Sequence, residues 1–157
     1  MEEIRKHDGV LSIMHVCRGN WTTDESVLLQ GAYDKLGKFF DALDLDMLAL
    51  EFSTPRAGEV EKLFSNNFLD TRVMLGFGCV NPRSEVIETP EEIVARVEEV
   101  LQFLPPERIW LNPDCGFATF AKRPLNPYPI IQKKLENMVA ASKILRAVSY
   151  THLRAHE

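Results

Sequence analysis

The sequence predicts an α/β fold of parallel βα repeats, and three observations carry that prediction. Four stretches, at 10–16, 46–52, 72–77 and 108–112, are nearly continuous apolar runs of the kind found in strands covered on both faces. Each is followed by a stretch whose apolar residues recur at helical spacing, so strand and helix alternate. Turn residues punctuate the joints, with Asp8-Gly9 before the first strand and Pro105-Pro106 before the last.

Taken in order, the charged residues at 2–7 read as the end of a helix, closed by the Asp8-Gly9 turn. The strand at 10–16 follows, then a polar loop at 18–25. Leu28, Leu29, Ala32, Tyr33, Leu36, Phe39, Phe40 and Leu43 repeat at helical spacing and predict one long amphipathic helix. After the strand at 46–52, a short helix at 58–67 is expected with Val60, Leu63 and Phe64 facing inward. The third strand, at 72–77, leads into the loop Gly78-Cys79-Val80-Asn81-Pro82. Thr89-Pro90-Glu91-Glu92 is a strong helix start: threonine caps, proline has its ring preset for the first turn, and the acids favour the positive end of the dipole. That helix is expected to reach about residue 103 and to bury Ile93, Val94, Val97, Val100 and Leu101 before the two prolines stop it. The strand at 108–112, a loop with Pro124, Pro127 and Pro129, and a helix at about 130–147 complete the reading. Two architectures satisfy this order: a doubly wound open sheet, or a (β/α)₈ barrel of which four units make half.

At 157 residues and 45% hydrophobic, the chain has the length of one ordinary domain and enough apolar material for a core. A net charge of -5 with no long basic run argues against nucleic acid or an anionic membrane as partner and favours small molecules. No apolar segment has the length of a membrane span and the N-terminus lacks a signal-peptide pattern, so a cytoplasmic location is expected. Three cysteines, Cys17, Cys79 and Cys115, are too few and scattered for a disulfide framework, and reduced thiols are free to bind metal.

In the run Ser12-Ile13-Met14-His15-Val16-Cys17, alternate strand positions put His15 and Cys17 on one face. An imidazole beside a thiolate suits zinc, which needs further ligands. Glu51, after Met47-Leu48-Ala49-Leu50, and Cys115, after the fourth run, also stand where a strand gives way to a loop. In either architecture function gathers at those C-terminal strand ends. Each residue also has an ordinary reading. His15 and Cys17 alone fit a strand-end polar residue and a small hydrophobe, and Cys115 alone fits a structural thiol. Glu51 is too costly to bury unpaired, so it is either solvated at the rim or bound to a cation. Cys79 reads as a plain buried thiol. Arg18, Asn20, Asn112 and Asp114 flank the ligand candidates, as groups that orient them, as substrate contacts or as turn formers.

Three motifs, His15-Val16-Cys17-Arg18-Gly19-Asn20, Leu50-Glu51-Phe52 and Leu111-Asn112-Pro113-Asp114-Cys115-Gly116-Phe117, together resemble the C-terminal catalytic half of cobalamin-independent methionine synthase-like proteins, and most nearly their short single-barrel relatives. The resemblance covers about residues 5 to 147. It implies the C-terminal half of a (β/α)₈ TIM barrel over 1–148, with zinc as cofactor held by His15, Cys17, Glu51 and Cys115. It further implies a cytoplasmic methyltransferase of methionine biosynthesis that moves a methyl group from a 5-methyltetrahydrofolate polyglutamate to homocysteine thiolate. Glu51, a hard oxygen among softer donors, is the ligand expected to exchange, and Asp114 and Phe117 are candidate substrate contacts. Zinc activation of another thiol such as coenzyme M, and a non-catalytic fragment with a structural zinc, are the alternatives. The N-terminal half of the barrel, expected to grip amino acid and folate, is absent, leaving a strand edge open on each side of the half sheet. Residues 149–157 do not continue the family pattern, resemble a translated sequencing-adapter tail and are expected to be non-native. His152 and His156 within them stand four apart but lack the acid of a helical zinc motif.

Overall fold

A computed structural model of the chain describes residues 7–154. Four strands, β1 (Ile13–Val16), β2 (Met47–Glu51), β3 (Met74–Val80) and β4 (Ile109–Pro113), form one parallel sheet in the order β1-β2-β3-β4. Sequential parallel strands without a reversal, joined by right-handed crossovers, place the connecting helices on one face. A doubly wound sheet requires a reversal, so the order selects the barrel-like alternative. The helices are α1 (Gly37–Asp41), α2 (Val60–Leu63), α3 (Leu69–Arg72), α4 (Pro90–Val100) and α5 (Tyr128–Arg154). None of the described helices is long and apolar enough to cross a membrane.

The core lies between the helices and one face of the sheet. Leu48 and Leu50 of β2, Phe52 just beyond it, and Leu75, Phe77 and Cys79 of β3 are all buried there with Ile93, Val97 and Val100 of α4. Burial of this kind contributes about 1.5–3 kcal/mol per large side chain and is what holds the helices to the sheet. Tyr33, Phe52 and Phe77 run through the layer with ring centroids 5.2 and 5.3 Å apart. The opposite face is open towards its edges, where Ile13 of β1 is 51% exposed and Trp110 of β4 is 50% exposed.

The Thr89 start is realised in full. The Thr89 hydroxyl accepts from the Glu92 backbone N–H, and the Glu92 carboxylate accepts from the Thr89 N–H. Elsewhere the structure corrects the sequence reading. The long helix expected over Leu28 to Leu43 does not form: α1 has five residues, preceded by 3₁₀ turns at Glu25–Val27 and Tyr33–Leu36. Gly31 sits at φ +143, the Leu29 N–H bonds the Arg18 carbonyl, and the Gly31 N–H bonds the Arg56 carbonyl. These tertiary bonds draw the segment into an extended path despite its helical spacing. Leu28, Tyr33 and Phe40 are buried as expected, but Leu29 and Phe39 are exposed.

In the helix expected at 58–67 only Val60–Leu63 is α-helical, and Leu69–Arg72 adds a turn that the apolar pattern did not announce. Leu101 lies beyond α4 and is 37% exposed rather than buried. β1 is shorter than expected, with Val10 and Leu11 outside it and exposed. β3 is longer, because Gly78, Cys79 and Val80 extend the strand instead of opening a loop. Glycine is required there: a Cβ on Gly78 would meet the Leu50 carbonyl oxygen at 2.5 Å and Asp114 Oδ1 at 2.6 Å. The last helix starts at Tyr128 and continues to Arg154. Of the helix end expected at 2–7, His7 is a bend rather than helix and the rest lies outside the described residues, as do the side chains of His152 and His156.

Candidate metal centre

The C-terminal ends of β1 and β2 and the loop after β4 converge. His15 pairs with Ala49 in the parallel register, which aligns the β1 and β2 side chains facing away from the helices. His15, Cys17, Glu51 and Cys115 each offer one donor atom, and all four atoms lie within 4.8 Å of one another. His15 Nε2 is 3.3 Å from Cys115 Sγ, Cys17 Sγ is 3.3 Å from Cys115 Sγ, and Cys115 Sγ is 3.0 Å from Glu51 Oε1. His15 and Cys17 are exposed, Cys115 is half-buried and Glu51 is buried, so the cluster has an inner wall and an open side.

Each donor is held by the strands around it. His15 Nδ1 bonds the Ala49 carbonyl at 2.9 Å, and as a donor there it leaves Nε2 with a free lone pair facing the sulfurs. The Gly19 N–H donates to Cys17 Sγ at 3.3 Å, which fixes the direction of that sulfur. Gly19 has φ +109, and a Cβ there would run into the Trp21 ring and Leu28, so the turn that delivers this N–H depends on glycine.

Glu51 is braced through its backbone. Its N–H donates to the Tyr33 hydroxyl at 2.9 Å, that hydroxyl donates to the Glu51 carbonyl at 3.2 Å, and the Arg18 guanidinium bonds the Tyr33 oxygen and lies over its ring at 3.8 Å. Burial pushes the Tyr33 hydroxyl up to about 12, so it acts as a neutral donor and acceptor.

Whether a cation fits can be tested on this geometry. Burial, reinforced by the Glu51 carboxylate and the Cys17 sulfur, pushes the Cys115 thiol far above its ordinary range. A divalent cation among these donors reverses that opposition to ionisation for Cys115. Glu51 Oε2 is buried and accepts no hydrogen bond. The donor set therefore fits a metal ion.

The remaining candidates fall into place around it. Asp114, 1% exposed, accepts from the Phe52 and Ser53 N–H groups at 3.0 and 2.9 Å, from the Ser53 hydroxyl, and from Arg83 Nη2 at 2.8 Å. Asn20 bridges from the first loop to the Gly116 carbonyl at 2.6 Å. Phe117 is half-buried against the core. Cys79 stands apart from the cluster, fully buried on the helix side of β3, with its thiol pushed up to about 12 by burial. Glu51 is not solvated at a rim: it is buried, with Arg56 Nη2 3.6 Å from its Oε2. Tyr33, Arg56 and Arg83 carry no sequence signal of a role here. Tyr33 was legible only as an apolar helix residue, and the arginines find their partners through loops distant in sequence.

The comparisons with known proteins agree with this fold. The model of the cobalamin-independent synthase catalytic domain matches residues 14–144. The methionine synthase of Thermococcus kodakarensis is 30% identical over 133 residues, which are 85% of this chain and 33% of that protein. The methionine synthase of Sulfurisphaera tokodaii is 33% identical over 146 residues, 93% of this chain and 36% of that protein. The solved structure of a B12-independent methionine synthase from a Shewanella species, in complex with selenomethionine, superposes with a TM-score of 0.72 at 18% identity, covering 92% of this chain and 41% of that one. The four-stranded sheet thus corresponds to part of a methionine synthase barrel, and the chain spans about a third of the length of the curated relatives it matches. With a domain model matched from β1 into α5 and relatives at this identity, the chain belongs to the cobalamin-independent methionine synthase catalytic-domain family.

Proposed function

We propose that this chain is the zinc-bearing part of a cytoplasmic methyltransferase that passes a methyl group from a 5-methyltetrahydrofolate to the thiol of homocysteine. The observation that carries the proposal is the convergence of His15, Cys17, Glu51 and Cys115 within 4.8 Å. A tetrahedral zinc with Zn–S of about 2.3 Å and Zn–N of about 2.0 Å separates its ligands by roughly 3.5–3.8 Å, so the contacts of 3.0 to 3.3 Å would open slightly and separations towards 4.8 Å would close. Zinc at this position would supply one thing, a lowered pKa for an incoming thiol, so that the sulfur is held as thiolate at neutral pH.

This chain's residues do the rest. Cys17 and Cys115 bring two negative charges and His15 a neutral nitrogen, so a further sulfur arrives at a centre already compensated and stays electron-rich. Glu51 is the ligand we assign as exchangeable: oxygen is the hardest donor of the set, and Arg56 Nη2 stands 3.6 Å from its other oxygen, ready to hold a released carboxylate. Asp114 orients the Cys115 loop from beneath, and Phe117 offers an aromatic surface beside it for the pterin. Groups that grip the amino acid and the rest of the folate belong to the part of the relatives' length not represented in this chain.

The exposure of His15 and Cys17 favours an exchanging site over a closed structural one. X-ray absorption on the zinc-loaded chain tests this: addition of homocysteine is expected to replace one oxygen ligand by one sulfur. Unchanged coordination with homocysteine and with coenzyme M alike would mark the zinc as structural, and a change with coenzyme M alone would reassign the acceptor. A folded sample that takes up no zinc ends the proposal.

A further inference from the structure

Behind the donor cluster, on the side away from the open face, five charged side chains alternate in sign. Arg56 Nη2 lies 3.6 Å from Glu51 Oε2, and Arg56 Nε lies 3.1 Å from Glu25 Oε2. The other oxygen of Glu25 accepts from Arg83 Nε at 3.2 Å and from Asn81 Nδ2 at 2.8 Å, and Arg83 Nη2 reaches Asp114 Oδ2 at 2.8 Å. The arginines are almost fully buried, with side-chain exposures of 7% and 0%, while Glu25 retains 27%. A buried guanidinium is costly unless paired, so each arginine is committed to its two carboxylates.

The two ends of this chain of charges are metal-site residues: Glu51 is itself a donor, and Asp114 immediately precedes Cys115. Among the described residues, Glu25 is the group that pairs with both arginines, and it offers no donor to the cluster itself.

We propose that Glu25 is a positioning residue for the metal centre, setting through Arg56 and Arg83 how strongly Glu51 and the Cys115 loop engage the cation. This rests on the zinc reading given above. With the Glu25 charge present, each arginine is shared between two carboxylates and Glu51 is only loosely held, at 3.6 Å. Without it, Arg56 has Glu51 as its sole anionic partner and draws that carboxylate away from the cation, while Arg83 turns wholly to Asp114. Partners that orient metal ligands in this way typically alter metal affinity 10- to 100-fold.

The test is the zinc affinity of the purified chain and its Glu25→Gln variant, measured against a chromophoric chelator, together with the visible spectrum of the cobalt(II)-loaded forms, which reports the ligand set. A roughly 10-fold or greater loss of zinc affinity with an altered cobalt spectrum is expected, and Glu25→Asp, which restores the charge, recovers part of the affinity. A merely structural role would lower the melting temperature and leave both metal readouts unchanged, and that result overturns the inference. Should Glu25→Gln not fold, Arg83→Lys decides by the same criterion, since lysine keeps the charge but loses the fork that spans Glu25 and Asp114. Zinc uptake by the unaltered chain separates the two levels: with uptake intact and the variants indistinguishable from it, only the role of Glu25 is lost, whereas no uptake removes the zinc reading and this inference with it.

Discussion

Glu51 and Asp114 occupy equivalent places, each an acid where a strand of the sheet runs out, and each is buried, at 2% and 1% exposure. The protein treats them in opposite ways. Asp114 receives two backbone N–H groups, a hydroxyl and a guanidinium, which leaves its oxygens little left to accept. Glu51 receives the Arg18 N–H and the Cys115 thiol on one oxygen and no hydrogen bond on the other. A saturated carboxylate is a structural post, whereas one buried with unused acceptor capacity is prepared for a cation.

The comparison can be broken by substitution. Asp114→Asn leaves Arg83 buried with half its compensation and is expected to cost about 3 kcal/mol of folding stability, seen as a lower urea midpoint. A loss below 1 kcal/mol would show that the saturated shell is not what holds this end of the sheet. Glu51→Gln, by contrast, is expected to weaken zinc binding about 10-fold, or about 1.4 kcal/mol, while changing the stability of the metal-free chain by less than Asp114→Asn does. Equal destabilisation by the two would erase the distinction between them.

Ser53→Ala removes one neutral donor from Asp114 and is expected to cost about 1 kcal/mol, with zinc affinity unaltered. The smallest effect on stability concerns Glu25. Against the upward push of partial burial, the bonds from Asn81 and Arg83 and the charges of both arginines hold its carboxyl below the ordinary range. A depressed pKa stabilises the fold above the unfolded-state value and is lost as pH falls through the folded-state value. The stability gap between the unaltered chain and Glu25→Gln is therefore expected to be fully present at neutral pH and to close below about pH 4.5. Chemical denaturation at a series of pH values would sharpen or refute that sign.

What could be read from the sequence depended on how local its cause was. The four strands announced themselves as short contiguous apolar runs bounded by turn residues, and the Thr89 start because a capping box is complete within four residues. The four donors were legible for a related reason: each is polar where an apolar run ends, and strand alternation pairs His15 with Cys17. The helix expected from Leu28 onward failed because spacing is necessary for a helix but not sufficient. Bonds to Arg18 and Arg56, 11 to 25 residues away, outcompete it. The network of Glu25, Arg56 and Arg83 was illegible for the same reason in stronger form. Nothing near Arg83 in sequence says that it will be sealed at zero exposure between carboxylates 58 residues before it and 31 after it.

β1 has only four residues and one hydrogen-bonded neighbour in this sheet, yet it leads directly to two of the four donors, while a third arrives 98 residues after Cys17. A cation seated there would fasten the shortest strand to the loop after β4, acting as a removable crosslink. Its contribution to stability then depends on its free concentration, as for any ligand that recognises only the folded state. A melting temperature taken with a chelator in the buffer and one taken in excess zinc would describe two differently fastened molecules, and the interval between them would measure how much of the architecture a bound ion supplies.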